Sequence, residues 1–378
     1  MNNNDIEGEL EQLRRRIDVL DDRLVFLLAE RKKLVEEVIQ LKKKYHLPVY
    51  HPAREENLIS RRRQQGSNEG FDPDFIEELF RLILRQSRVS QSRQLSRKAV
   101  KPGAGVLLVG GSGEMGRYFH HWFREAGYRV SVLERHDWNR VESLCRGINL
   151  ALVGVPIEKT DEVIRNLGPC LPPEAVLADI TSIKEAPLQA MLDAHQGPVV
   201  GLHPLFGPGT STMDKQIIVT TPGRMPEKTR WLIEQLNAWG AITVTADARE
   251  HDEIMTYVQA LRHFATFGFG RFLYQQQVDI FKSLEFSSPI YRLELGMVGR
   301  LFAQDPGLYA EIIFATPERR KLLKSYIASL AEQLDLLDKA DKEEFTREFD
   351  RIAAWFGTFG DQAMRESSYL IDKLIERF

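Results

Sequence analysis

"VLLVGGSGEMGRYF", Val106 to Phe119, sets a short apolar run against four closely placed glycines and then a segment with helical spacing. The run Val106–Val109 reads as a buried strand, and the helix that follows extends to about Ala126, with Gly127 as its C-terminal cap. "YRVSVLE", Tyr128 to Glu134, reads as a second strand, so the stretch is a β-α-β unit. Gly111, Gly113 and Gly116 fit the dinucleotide fingerprint. That fingerprint needs a tight turn, a close backbone approach to pyrophosphate, and a helix N-terminus aimed at the phosphates. Glu114 and Met115 open the helix at the same place. A lone glycine motif is weak, but this one lies between a strand and a helix. Glu134 ends the next strand about twenty residues on, where an acid accepts from the adenosine ribose and repels a 2′-phosphate. The reading is an NAD site, although Arg135 beside it is a residue that NADP would use.

Further strands are expected at 149–155, 175–181, 198–202, 216–220 and 241–245, alternating at first with helices, which makes a doubly wound sheet. Two segments follow strands and so fall on the ligand edge: "DITSIK", Asp179 to Lys184, and "GLHPLFGP", Gly201 to Pro208. Pro204 disfavours helical geometry at His203, placing that ring at the end of an extended strand. An isolated histidine there is more often a packed, hydrogen-bonded core residue than a catalyst. After "REHDEIM" the pattern is helical to the end, interrupted by polar turns such as "AQDPG" and "ATPERR".

The 378 residues have room for two or three domains, and with 43% hydrophobic and 28% charged residues they belong to the ordinary globular class. A net charge of −3 argues against nucleic-acid or membrane-surface partners. Cys145 and Cys170 lack disulfide or metal-ligand spacing, so no metal is expected. With no leader-like start and no apolar run of ~18 residues, a cytoplasmic protein is expected.

In the first hundred residues, apolar positions from Leu10 to Leu41 step by three and four, giving one long helix before Pro48. The step between Leu27 and Leu34 lands on Arg31, so a guanidinium interrupts the stripe and calls for a carboxylate or an anionic ligand. Lys42 leans over the same face, about 20° round the helix. Arg14 lies roughly 25 Å back along the axis, too far to meet the same small ligand from one copy of the chain. Two shorter helices follow, one over 52–65 with Arg54 and Glu55, and one from Asp72-Pro73 to about Leu95. On the latter, Ser87 and Gln91 share a face. "SRKAVKPGAG", Ser96 to Gly105, reads as the boundary.

"LRRRIDVLDDRL", "LLAERKKL", "PAREENL" and "SRVSQ" together resemble the AroQ-type chorismate mutase domain over residues 5–95. The resemblance implies an intertwined all-α dimer in which Arg31, with Arg14 from the partner, holds the two carboxylates of chorismate. Lys42 and Gln91 would donate to the ether oxygen, and Glu55 and Ser87 would fix the ring hydroxyl and a carboxylate, with Arg54 beside them. At His51 some relatives carry an acid. The remainder, from about Val106, resembles prephenate dehydrogenase in "DITSIK", "GLHPLFGP", "EHDEIMTYVQALRHFATF" and "SSPIYRLELGMVGRLFAQDP". By that resemblance His203 takes the proton of the 4-hydroxyl of prephenate, Ser182 orients it and Arg300 binds the ring carboxylate. Arg292, Lys184, His251 and His263 are further substrate or inhibitor contacts, although Arg292 and His251 are as well explained by surface or interface ion pairs.

The order of the two modules resembles the bifunctional chorismate mutase/prephenate dehydrogenases. The expected organisation is a mutase domain at 1–95, a linker at 96–105, an NAD-binding Rossmann-type α/β domain at 106–246 and an all-α dimerisation domain at 247–378. A homodimer inhibited by tyrosine is implied. The competing reading is an arogenate or other hydroxyacid dehydrogenase whose N-terminal helices only sense a ligand.

Overall fold

In a computed structural model, backbone is described for residues 3–45, 52–95, 98–210 and 212–375. Side chains are described for 7–41, 53–89, 98–210 and 212–375. The chain forms two compact units, one built from residues 1–155 and 159–248, the other from 156–158 and 249–378.

The first unit opens with three helices, α1 (Asn3–Tyr45), α2 (Pro52–Asn68) and α3 (Pro73–Leu95). Asp72 accepts from the Asp74 amide at 2.9 Å ahead of the proline at the start of α3. Ile39, Ile59 and Ile76 are buried, but Leu20, Leu24 and Leu27 on α1 are 56%, 59% and 57% exposed. The apolar stripe of α1 thus exceeds what the other two helices of one chain cover.

The sheet that follows has seven strands: β1 (Gly105–Val109), β2 (Arg129–Leu133), β3 (Leu150–Val153), β4 (Val176–Asp179), β5 (Val199–Pro204), β6 (Ile217–Pro222) and β7 (Ile242–Thr245). Their order is β2-β1-β3-β4-β5-β6-β7, parallel except where β5 meets β6. α4 (Glu114–Glu125), α5 (Val141–Cys145), α6 (Ile157–Leu167), α7 (Glu185–Ala194) and α8 (Pro226–Ala238) alternate with the strands. Strand period decides which face each residue covers. Val106 and Leu108 pack with Phe119, Phe123 and Trp239 on one side, whereas Leu107 and Val109 pack with Ile164, Leu167 and Met191 on the other.

The expected linker is not a loose tether. Ala99 and Ala104 are buried in the sheet's core, and the Val100 amide donates to Gln235 Oε1 at 2.8 Å. The same oxygen accepts from Tyr128 Oη at 2.6 Å, and burial pushes that phenol up to about 12.

The second unit contains α9 (Ala248–Met255), α10 (Arg262–Gln275), α11 (Ile280–Glu285), α12 (Pro289–Phe302), α13 (Pro306–Phe314), α14 (Pro317–Asp338), α15 (Lys342–Phe356) and α16 (Thr358–Ile375). A turn of π-helix, Thr256–Leu261, joins the first two of these. The polar turns "AQDPG" and "ATPERR" are helix starts: Asp305 and Thr316 each cap a helix whose next residue is proline, and Ser288 does the same for α12. The expected combination of helical N-terminal module, α/β sheet and helical C-terminal module is the one observed.

Gly116 is where the first β-α-β unit is tightest. A Cβ there would stand 2.4 Å from the Gly110 carbonyl oxygen and 2.7 Å from Gly111 Cα, backbone atoms that cannot step aside. Gly116→Ala should lower stability by about 1–3 kcal/mol, the cost of overpacking. Gly207→Ala, with nothing within 4 Å of the added carbon, should be near neutral. Urea unfolding of both variants followed by fluorescence checks this, and an unchanged midpoint for Gly116→Ala would contradict the packing described.

Candidate active sites

On the three N-terminal helices the charge in the apolar stripe finds its partner. Arg31 is partly buried, and its Nη1 donates to Ser87 Oγ at 2.7 Å. Ser87 in turn donates to the Ile83 carbonyl at 2.8 Å, which fixes the hydroxyl so that it presents a lone pair to the guanidinium. Burial lowers the pKa of Arg31. Among the described residues no carboxylate pairs with this cation, and a neutral hydroxyl leaves room for an anion.

Glu55 is buried against a residue that the sequence reading passed over. Arg88 Nη1 donates to both Glu55 oxygens, at 2.8 and 2.7 Å. Arg88 follows Ser87 directly, and its burial could have been inferred only from a partner carboxylate. Arg54 is exposed, and Arg14 is 70% exposed with Glu11 3.9 Å away, so Arg14 does not join Arg31 within one chain. Lys42 and Gln91 fall on α1 and α3, with side chains outside the described residues, as is His51 altogether.

At the carboxyl end of β1, Gly110 takes a positive φ of 79° and its amide donates to Leu133 O at 3.0 Å. The chain can then turn into α4. A Cβ at Gly111 would meet Val132 at 2.8 Å, and no side chain caps α4 at Gly113. Its first amides are therefore presented to an anion. Glu134 lies just beyond β2, and its Oε1 accepts from the Ser112 amide at 2.7 Å. Glycine cradle, uncapped helix start and acid together fit a dinucleotide, with Glu114 and Met115 in the first helical turn.

His203 lies on β5, 2% exposed, opposite Val219 of β6. Pro204 ends the strand, as the sequence led us to expect. Ser182 is on the connection from β4 to α7. Lys184, expected as a substrate or inhibitor contact, is fully buried: its Nζ is bound to the Asp179 carboxylate and donates to Leu202 O at 2.8 Å. The ammonium thus ties the end of β4 to the residue preceding His203. Asp179 opens "DITSIK" and was not singled out from sequence.

The other expected dehydrogenase residues belong to the helical unit. His251 is buried, with Nδ1 2.7 Å from Asp252 Oδ1. His263 packs edge-on to Tyr309 with ring centres 4.7 Å apart, and burial, then the adjacent Arg262, pulls its imidazole down to about 4. Arg292 reaches the Leu284 carbonyl at 3.3 Å. Arg300, on α12, is exposed.

Three family models match the chain: chorismate mutase type II over residues 13–92, the nucleotide-binding domain of prephenate dehydrogenase over 126–244 and its dimerization domain over 247–351. The T-protein of Enterobacter agglomerans is 43% identical, covering 96% of this chain and 97% of its own. That of Haemophilus influenzae is 40% identical over the same shares. Among solved structures, prephenate dehydrogenase from Aquifex aeolicus in complex with hydroxyphenyl propionate and NAD+ has a TM-score of 0.54 at 18% identity. It covers 67% of this chain and 97% of its own, and it supports the fold. With an uncapped glycine turn that fits NAD and N-terminal helices matched over residues 13–92, the chain belongs to the T-protein family, in which a chorismate mutase is joined to an NAD-dependent prephenate dehydrogenase.

Proposed function

We propose that Arg31 with Ser87 carries the rearrangement of chorismate to prephenate, and that His203 carries the oxidation of prephenate to 4-hydroxyphenylpyruvate. The observation that supports this most directly is the partly buried Arg31 guanidinium, bonded to a hydroxyl and set in an apolar stripe, where a substrate carboxylate can complete it. The rearrangement breaks a C–O bond and forms a C–C bond within one molecule. It needs neither nucleophile nor base, only a compact bound conformer and donors where charge grows on the ether oxygen. Arg31 and a partner's Arg14 hold the carboxylates, Lys42 and Gln91 donate to the ether oxygen, and Glu55 accepts from the ring hydroxyl. The exposed stripe of α1 supports a homodimer, because burying three leucine side chains is worth about 1.5–3 kcal/mol each.

In the second reaction His203 takes the proton of the 4-hydroxyl while Ser182 orients the ring and Arg300 holds the ring carboxylate. The glycine turn at Gly111, Gly113 and Gly116 with Glu134 would hold NAD, which would supply the acceptor for the hydride of C4. The ketone so formed is conjugated to the carbon bearing the ring carboxylate, and loss of carbon dioxide restores aromaticity. Lys184 serves here from beneath, by fixing the backbone at Leu202. His251, His263 and Arg292 are assigned to the substrate or to tyrosine as a feedback inhibitor. No helix among the described residues is long and apolar enough to cross a membrane, and both cysteines are free, so we place the enzyme in the reducing cytoplasm.

The two activities should be separable. Arg31→Ala leaves a substrate carboxylate unpaired, which costs roughly 2–5 kcal/mol and removes most mutase activity. Prephenate supplied directly should still reduce NAD. His203→Asn should do the reverse, losing about 10²–10⁴-fold in the dehydrogenase step. Chorismate loss and NADH growth followed in one cuvette separate the outcomes, and a folded variant lacking both activities would refute the assignment.

The pH profiles should also differ. Gln91 donates through an amide that does not titrate, so the mutase rate should be flat from mildly acidic to mildly alkaline pH. A base must be neutral to take a proton, so the dehydrogenase rate should fall on the acid side as His203 protonates. His263, lowered to about 4, stays neutral above that value and contributes nothing to this acid limb. Gln91→Glu should bring the mutase under acid control and leave the dehydrogenase curve in place. A wild-type mutase rate that collapses above neutrality would overturn the role of Gln91.

Tyrosine at saturation should slow the dehydrogenase. Initial rates with and without it decide, and equal rates remove the inhibitor role.

A further inference from the structure

A dense cluster of buried charges lies where α2, α3 and the segment joining β5 to β6 meet. Arg88 stands at its centre: Nη1 donates to both oxygens of Glu55, and Nε faces both oxygens of Asp214 at 3.2 Å. Lys215 Nζ is 3.9 Å from Glu55 Oε2. The side chains of Arg88, Glu55 and Asp214 are 9%, 11% and 7% exposed. Arg88 and the partly exposed Lys215 thus set positive charge against both carboxylates. The chain separation is large: Asp214 lies 126 residues beyond Arg88, in the dehydrogenase half of the chain.

Asp214 is presented from an anchored turn. Met213, before it, is fully buried in the core of the sheet, and Gln216 donates its amide to the Met213 carbonyl at 3.0 Å. Lys215, after it, has a φ of 59° and donates its amide to Gly240 O at 2.9 Å. A left-handed lysine is an uncommon conformation, held here by its neighbours on both sides. Arg88, by contrast, is a long side chain on a helix surface, with many rotamers open to it unless both ends of its guanidinium are engaged. Nη1 reaches Glu55 through one nitrogen shared by two oxygens, which leaves the carboxylate free to pivot. The hold of Asp214 on Nε removes that freedom by fixing the guanidinium plane.

We propose that Asp214 is a positioning residue for the mutase reaction. From the dehydrogenase half of the chain it fixes Arg88, and through Arg88 the carboxylate of Glu55 that accepts the ring hydroxyl of chorismate. The proposal rests on the assignment of Glu55 to the substrate made above. It makes the mutase module depend on a residue outside its own three helices, delivered by the segment that leaves the catalytic histidine's strand.

The test uses the full chain with three variants: Asp214→Asn, Glu55→Gln and the two combined. Asp214→Asn should lower mutase kcat/KM by roughly 10- to 100-fold, the scale of a misplaced substrate contact. Oxidation of supplied prephenate should stay within about twofold, as for an independent site. The double variant should lose no more mutase activity than Glu55→Gln alone, because both act through one carboxylate. Circular dichroism confirms that each variant is folded. If Asp214→Asn does not fold, Asp214→Glu, which keeps the charge and moves it by one methylene, should still slow the mutase and spare the dehydrogenase. Wild-type mutase rates in the Asp214 variant, equal losses in both activities, or losses that multiply in the double variant would each overturn the proposal. A Glu55→Gln protein with full mutase activity would instead remove the substrate assignment of Glu55, and the proposal with it. That outcome is told apart from the others by the Glu55 variant alone.

Discussion

A cation taken out of water costs several kcal/mol unless oxygens meet it in good geometry, and the sites of this chain are arranged around that constraint. Lys184 is fully buried and is satisfied by Asp179, Thr181 and the Leu202 carbonyl, three groups from two strands and the loop between them. Remove the carboxylate and the ends of β4 and β5 lose the tie that sets the backbone at His203. Arg88 is met at both ends by Glu55 and Asp214. Arg31 differs, since among the described residues what meets it is a neutral hydroxyl. The difference sorts the cations by task. Lys184 and Arg88, already neutralised, hold the framework, and at Arg31 an anion would gain more than at either.

This sorting explains what could be read from sequence. The strands were legible because short apolar runs between glycines and prolines have few alternatives, and each expected strand is found within a few residues of its place. Arg31 was legible because it breaks a stripe with period 3.6, a signal local to one helix. The starts of α13 and α14 were written as polar residue plus proline, although they read first as turns. Lys184 was read as facing a ligand since it lies on the ligand edge. Direction along a strand end is set by the partner, and Asp179, five residues earlier, carries no periodic signature. Arg88 and Asp214 were out of reach for the same reason, as their meeting is a consequence of how α3 lies on the nucleotide-binding module. Long-range pairs of charges leave no trace in spacing.

The two chemistries joined here make different demands on a fold. A unimolecular rearrangement asks for a rigid cage of donors, which helices supply from their faces. An oxidation with a dinucleotide asks for strand ends that bring backbone amides and one base to the same edge. Gly110 shows how close that edge is built: a Cβ would lie 2.7 Å from Gly154 O, so the backbone just beyond β1 runs against that just beyond β3. Each module can be understood from its own physics, yet the segment from 98 to 104, docked on Gln235, binds them into one compact unit.

The one antiparallel step in the sheet, between β5 and β6, bears on how this chain can change over generations. In a parallel pair the chain leaving His203 would cross to the far edge through a helix, and insertions anywhere along that crossover would be tolerated. Here it turns straight back. Leu205 N is bonded to Ile217 O at 2.9 Å, closing the segment at its base, and Lys215 N is bonded to Gly240 O, closing it again near its end. Added length is best accommodated near residues 206–210, between these two closures. The loop that follows His203 is therefore free to vary at its tip and closed to variation at its stem, where Asp214 is held against Arg88 of α3, so new side chains can be tried at the tip while the stem keeps its contact with the helices.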